Sequence, residues 1–114
     1  MNKRHLFGLI GEYITGIIYS LMFYRVIKRR FRTFVGEIDL ICKRFNTIVF
    51  IEVKSRKTNY DDIIYTKRQQ ERLLKSAQIF LVSNPKYQFL DIRFDLVIIR
   101  PYTFPMIIKN FTQK

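Results

Sequence analysis

Two rhythms of apolar positions run along this chain. From Gly36 to Arg56, GEIDLICKRFNTIVFIEVKSR, the period is two: Ile38, Leu40 and Cys42 alternate with Asp39, Ile41 and Lys43. Ile48 to Val53 is apolar at five of six positions and rich in β-branched residues, as in a central strand covered on both faces. Arg44-Phe45-Asn46-Thr47 lies between the two runs, with Asn46 suited to the positive φ of a hairpin turn. Elsewhere the period is helical. Ile14, Ile17, Ile18 and Leu21 predict a first helix packed on a sheet within Leu6–Tyr24. Gln70, Leu73, Leu74, Ala77, Phe80 and Leu81 share one face of a second helix over Lys67–Ser83, which Asn84-Pro85 stops. Tyr24–Arg32 alternates around Ile27, Arg29 and Phe31 and reads as the first strand; Arg93–Arg100 reads as a buried fourth, ended by Pro101. Met106–Phe111 adds a short edge strand, and Lys57–Thr66 is a polar connection holding Asn59, Asp61 and Asp62. The order is helix, three strands, helix, strand and a further strand: one mixed α/β domain over residues 1–114.

The first helix forces a choice. Leu6–Tyr24 runs nineteen residues with one charge, Glu12, behind a basic flank, which is close to the length of a membrane span. No small-x-small cleavage site follows Ile18, so a signal peptide is not expected. Glu12 would cost roughly 2.5–3.5 kcal/mol at the centre of a bilayer. Three glycines and Tyr13, Thr15, Tyr19 and Ser20 dilute the run further. The expectation is a buried helix without stable membrane insertion, in a cytoplasmic protein.

Charge narrows the partner. The chain of 114 residues carries a formal net charge of +12, which points to a polyanion, nucleic acid before anionic membrane. Arg25, Lys28, Arg29, Arg30 and Arg32 crowd the first strand, more bases than an edge strand needs for protection, and read as phosphate contacts. A single cysteine excludes a disulfide framework and a Cys-rich zinc site; Cys42 is expected in the core. The only histidine, His5, lies near the N-terminus, so histidine-based nuclease chemistry is not expected.

Candidate chemistry sits on the hairpin. With its turn centred between Phe45 and Asn46, Asp39 falls opposite Glu52 and Ile41 opposite Phe50, while Lys54 shares the face of Glu52. Opposed side chains have Cβ atoms roughly 4.5–5.5 Å apart, where two carboxylates need a shared proton or a cation between them. A hard divalent ion with oxygen ligands, Mg²⁺ or Mn²⁺, suits that gap. Alone, Glu52 and Lys54 read better as an ordinary solvent-facing pair at a strand end. Asp39 opposite them, in a half-chain with twelve Lys and Arg and four acids over residues 1–58, turns the reading toward a site. Glu37 should lie on the other face, against a neighbouring base.

These residues carry a resemblance. Gly11-Glu12, Tyr24, Gly36-Glu37-Ile38-Asp39-Leu40-Ile41, the run Val49 to Arg56, Gln70 and Arg93-Phe94-Asp95 occur in the order and near the spacing of the YraN-type (UPF0102) family. That family is placed in the PD-(D/E)XK nuclease-like superfamily, near archaeal Holliday junction resolvases. The resemblance implies a restriction-endonuclease-like α-β-β-β-α-β core with a mixed central sheet. It makes Glu12 the helix acid aimed at the site from outside the sheet. Gln70 takes the position of a helix polar residue that reaches the scissile phosphate, although it reads equally well as a residue of a frayed first turn. Four departures stand out: Thr15 replaces a small residue, Phe23 a helix-ending glycine and Gln69 a lysine, and the connection after Arg56 is shorter and lacks a glycine. Asp95 is expected to satisfy backbone or an arginine, and Asp61-Asp62 to be a solvated helix approach.

Three classes of function follow. The leading one is Mg²⁺-dependent (or Mn²⁺-dependent) hydrolysis of DNA phosphodiester bonds, with branched DNA among the substrates the resemblance implies. Asp39, Glu52 and the Val53 carbonyl would hold the ion, Lys54 would serve the attacking water or the phosphate charge, and Glu12 and Gln70 would position water and phosphate. Arg29, Arg30, Arg32 and Arg56 would hold the backbone of DNA, preferred to RNA. Junction cleavage would favour paired sites in a homodimer. The second class is a nucleic-acid-binding module of the same fold without turnover. The third is a membrane-anchored protein using Leu6–Tyr24.

Overall fold

A computed structural model describes residues 3–56 and 65–112. The elements are α1 (Lys3–Leu21), β1 (Arg25–Arg32), β2 (Glu37–Arg44), β3 (Thr47–Ser55), α2 (Lys67–Ser83), a 3₁₀ turn (Pro85–Tyr87), β4 (Asp91–Ile99) and β5 (Met106–Ile108). The five strands form one sheet in the order β1-β2-β3-β4-β5. All neighbours are antiparallel except β3 and β4, which run parallel because α2 crosses between them. This mixed α-β-β-β-α-β arrangement is the architecture expected from the sequence. Among the described residues, no helix is long and apolar enough to cross a membrane.

Each face of the sheet packs a helix. Tyr19 of α1 joins Tyr24, Leu40, Cys42, Val49, Ile51, Val97 and Ile99 in one cluster. Leu73, Ala77 and Phe80 of α2 join Ile38, Ile41, Ile48, Phe50 and Tyr87 in the other. Ile48 to Ile51 of β3 are fully buried, as a strand covered on both sides requires. Cys42 is buried and free, and burial pushes its thiol up to about 12.

Turns and caps depart from the sequence reading in instructive ways. The hairpin pairs Leu40 with Ile51 through Arg44 with Thr47, the register expected, but Phe45 rather than Asn46 takes the positive φ, 52°. α1 ends with Phe23 at φ 70° and the Tyr24 amide donating 2.9 Å to the Tyr19 carbonyl, a left-handed closure that glycine would adopt without steric cost. The alternation of β1 is broken between Val26 and Lys28, and Arg30 stands at φ 53°. Thr66 and Gln69 form a reciprocal capping box on α2, so Gln70 does not sit in a frayed turn. The last strand stops at Ile108, short of Phe111.

The packing of α1 corrects a prediction. Ile17 and Leu21, expected against the sheet, are 58% and 75% exposed, and Ile14 is exposed too. The inward side is Gly11, Thr15 and Tyr19 instead. Their spacing of four residues is as helical as that of the isoleucines, and small residues let the helix backbone approach β3 closely. A Cβ at Gly11 would overlap Ser55 Oγ. Thr15, the replacement for a small residue, is fully buried and donates to the Gly11 carbonyl at 2.8 Å.

Candidate functional site

The site forms where β2 and β3 part. Beyond Leu40 and Ile51 the paired register ends, one step before Asp39 would stand opposite Glu52. There the Val53 amide donates to Asp39 Oδ2 at 2.7 Å. An extended residue turns its N–H and C=O to the same neighbour, so the Val53 carbonyl also faces this opening. Asp39 from β2 and Glu52 from β3 come close enough to share a hydrogen bond. Lys54 Nζ lies 3.9 Å from Glu52 Oε1, with both side chains largely buried.

Electrostatics follow from that crowding. Burial, then the neighbouring Asp39 charge, pushes the Glu52 carboxyl up to about 8 against the pull of Lys54. Burial likewise raises Asp39, although the Val53 amide and the Glu52 hydrogen bond oppose the shift. Glu12 on α1 is raised to about 7 by burial and by Asp39, which brings the helix acid into the same electrostatic field. Arg30 Nε stands 3.7 Å from both Glu12 and Glu37, tying α1 to the sheet. Glu37 also meets Arg32 at 3.5 Å, so it contacts neighbouring bases as the sequence predicts.

The remaining candidates are more dispersed. Arg29 stacks its guanidinium 4.9 Å from the Tyr13 ring and beside Gly16 of α1. Arg32 is exposed, with Glu37 as its ion-pair partner. Arg56 follows β3, its backbone amide donating to the Ile99 carbonyl and its guanidinium to the Ser55 carbonyl. Gln70 turns its amide to the Thr112 carbonyl at 3.4 Å. Asp61 and Asp62 lie outside the described residues. Asp95 takes a structural role: it accepts from Arg93 at 2.9 Å through both oxygens, from Tyr19 at 2.7 Å and from the Asn110 amide at 3.0 Å.

Sequence reasoning missed Tyr65 and underread Arg30. Lys54 Nζ lies 5.8 Å from the Tyr65 ring centroid, and burial with the Glu52 and Asp39 charges raises the Tyr65 phenol. No signal at Tyr65 distinguished it from any loop aromatic. Arg30 belonged to a run of bases, and its inward turn follows from the irregular β1 backbone.

The donor set fits a hard divalent ion in a limited way. Among the described residues, no three His, Cys, Asp or Glu side chains converge as a metal cage. Two carboxylates and a carbonyl do face one opening, and Mg²⁺ characteristically takes one or two carboxylates and completes its shell with water and phosphate oxygens. Raised carboxyl pKa values fit the same picture, since a cation would replace the protons that burial and repulsion now retain.

Comparison with known proteins yields a consistent group. Residues 11–99 match the model of the uncharacterised protein family UPF0102. A UPF0102 protein of Rhodopseudomonas palustris (strain BisB18) is 45% identical over 84 residues, 72% of this chain and 62% of that protein. Another, of strain BisA53, is 43% identical over 100 residues, 86% of this chain and 76% of its own length. A UPF0102 protein of Bradyrhizobium sp. (strain ORS 278) is 38% identical over 100 residues, 86% of this chain and 70% of its own.

Proposed function

The chain belongs to the UPF0102 family, and we propose that it is a Mg²⁺-dependent endonuclease-like protein that hydrolyses DNA phosphodiester bonds. One observation carries the reading: part-buried Asp39 and Glu52, on adjacent strands, crowd together where the Val53 amide donates to Asp39 at 2.7 Å, with Lys54 3.9 Å from Glu52. A structural ion pair has little use for a second, part-buried carboxyl that raises the first; a cation site does.

In this reading Asp39, Glu52 and the Val53 carbonyl hold the ion, or Mn²⁺ in its place. Bound there, the ion supplies Lewis acidity, lowering the pKa of water and offsetting charge on the phosphate. Lys54 orients the attacking water through its ammonium and stabilises the oxygen charge that grows on phosphorus. The ammonium lies over the Tyr65 ring, 5.8 Å from its centroid, a cation–π contact that restrains where it points. Glu12, with a carboxyl near neutrality, accepts a proton from water on the α1 side. Gln70 serves the phosphate once released from the Thr112 carbonyl. Arg29, Arg30, Arg32 and Arg56 position the backbone by charge, without reading sequence.

A second reading, a nucleic-acid-binding module without turnover, draws on Gln69. Where the resemblance implies a lysine, this side chain is committed to capping α2 and lends the site no charge. One experiment separates the two: linear, flapped and branched DNAs incubated with and without Mg²⁺. Glu52→Gln and Lys54→Ala should each abolish cleavage and leave DNA binding within a few-fold, because the bases that release counterions lie elsewhere. Cleavage by purified Glu52→Gln at the wild-type rate would sink the assigned site. Salt-sensitive binding with no Mg²⁺-dependent cleavage of any DNA would establish the second reading.

A further inference from the structure

Phe34 projects from the fold on a braced turn. Residues 33–36 join β1 to β2, and the Phe34 side chain among them is 93% exposed. The backbone that carries it is tied down on every side. The Thr33 amide donates to the Gly36 carbonyl at 2.7 Å, and the Thr33 hydroxyl donates to the same carbonyl at 2.9 Å. That hydroxyl accepts from the Val35 and Gly36 amides at 3.1 and 3.0 Å and meets Ser76 Oγ of α2 at 3.1 Å. Gly36 lies so close to α2 that a Cβ there would come 3.3 Å from the Arg72 carbonyl. A ring in water on such a support adds nothing to the core, and the cost of ordering its backbone for a ligand is already met.

The ring stands over a groove that follows α2. One part, a cleft of about 300 Å³, is lined by Phe34, Val35, Arg68, Glu71, Arg72 and Lys75. The other, about 450 Å³, adds Ile79 and Val82 beside the same ring. Arg68, Arg72 and Lys75 fall at i, i+4 and i+7, one face of the helix, and all three are exposed. Glu71 is the single acid of the lining, and among the described residues none of the three bases is held in an ion pair. From Arg68 to Val82 the groove runs roughly 21 Å at 1.5 Å per residue. Its Arg68 end lies one turn from Tyr65, whose ring faces Lys54, so it leads away from the candidate site.

A ligand that answers all of this carries flat apolar rings and regularly placed negative charge, which is the chemistry of a nucleic acid strand. Paired bases are stacked on one another inside a duplex, so a protruding phenyl ring can stack only on bases that are unpaired. An acidic peptide would answer the cations without requiring the ring. We propose that this groove binds single-stranded DNA, with an unpaired base stacked on Phe34 and neighbouring phosphates on Arg68, Arg72 and Lys75. The inference rests on the nucleic-acid reading above but not on cleavage.

Anisotropy of a labelled oligo(dT) in EDTA, beside a duplex of equal length, tests it. Phe34→Ala should weaken oligo(dT) binding roughly 5- to 150-fold, the loss expected of one stacked base, and leave duplex binding within a few-fold. Phe34→Tyr should restore the affinity. Both variants should melt as wild type does, because the ring is exposed. Arg68→Gln combined with Lys75→Gln should lower the salt dependence of oligo(dT) binding, a log–log slope, by roughly 1.4. Phe34→Trp introduces the only tryptophan of the chain. Oligo(dT) should quench its emission, and heparin, a polyanion without bases, should not. Oligo(dT) bound by Phe34→Ala as tightly as by wild type overturns the proposal, as does oligo(dT) binding that leaves the indole unquenched, even in a protein that cleaves DNA. These shifts in a protein that cleaves nothing uphold it and sink only the hydrolytic reading. Indole emission that moves to the blue with protein concentration alone gives the groove to a second copy of the chain instead.

Discussion

Glu52 puts a cost on the fold that pH can switch. Its carboxyl is held at about 8 when folded, against the ordinary 4.5, so the folded chain keeps a proton that the unfolded chain has released. Stability therefore falls as pH rises between roughly 4.5 and 8, and the full cost is present above the folded value. Glu12, raised to about 7, adds to the same window. In EDTA, Glu52→Gln should be the more stable protein at pH 8, by roughly a few kcal/mol, and should match wild type near pH 4. Mg²⁺ should narrow the gap by roughly 2.7 kcal/mol at a hundred times its dissociation constant for wild type, since the variant lacks a ligand and gains little. Melting curves in EDTA and in Mg²⁺ decide it; equal Mg²⁺ shifts in the two proteins would move the ion to another place. The grouping of Asp39, Glu52 and Lys54 was legible because a period of two fixes which side chains share a strand face. Tyr65 and the inward turn of Arg30 were not, because one depends on a loop and the other on a bulge that no alternation encodes.

At the scale of elements, Gly11 governs how α1 meets β3. A Cβ there would overlap Ser55 Oγ, a buried hydroxyl with no hydrogen-bond partner among the described residues. Gly11→Ala should destabilise the protein by roughly 1–3 kcal/mol through overpacking, even though alanine favours a helix over glycine. Gly11→Ala combined with Ser55→Ala should recover most of that loss, since the second change removes the clashing oxygen and its unmet hydrogen bond. Chemical denaturation of both variants measures the coupling; additive losses would mean that α1 moves as a body. Both helices and the strand order were legible from periodicity. The side of α1 that faces the sheet was not: Gly11, Thr15 and Tyr19 repeat at the same spacing as the isoleucines, and spacing identifies a stripe without saying what covers it. The Thr66–Gln69 capping box was readable within four residues, yet Gln69 drew notice only for the lysine it replaces.

The whole molecule joins local and distant pairings around one strand. β3 pairs antiparallel with β2 through a two-residue turn, and parallel with β4 only after α2 has crossed over. On the α1 side, Asp95 then binds Tyr19, Arg93 and the Asn110 amide, linking three parts of the chain through one buried carboxylate. The mixed sheet was legible because a helix between two strands implies a crossover. The Asp95 network was legible only as a carboxylate in need of a partner, since Tyr19 is remote in sequence.

The local pairing of β2 with β3 sets an order of events. Contacts across a tight turn close quickly, whereas Glu52 can meet its β4 neighbour Leu96 only after a long loop has been ordered. The hairpin is thus the part of the sheet best placed to form in the folding transition state, and it brings Asp39 to Glu52 as it forms. Their repulsion is then met on the way up the barrier. Glu52→Gln in EDTA at pH 8 should accelerate folding by the share of the cost that the Asp39 charge imposes, a fractional φ-value, while the larger share due to burial appears in the unfolding rate. Chevron plots at pH 6 and pH 8 read this directly, both arms of the wild type moving with pH. If the unfolding arm alone moves, the two acids meet only after the barrier, and the crossover rather than the hairpin comes first.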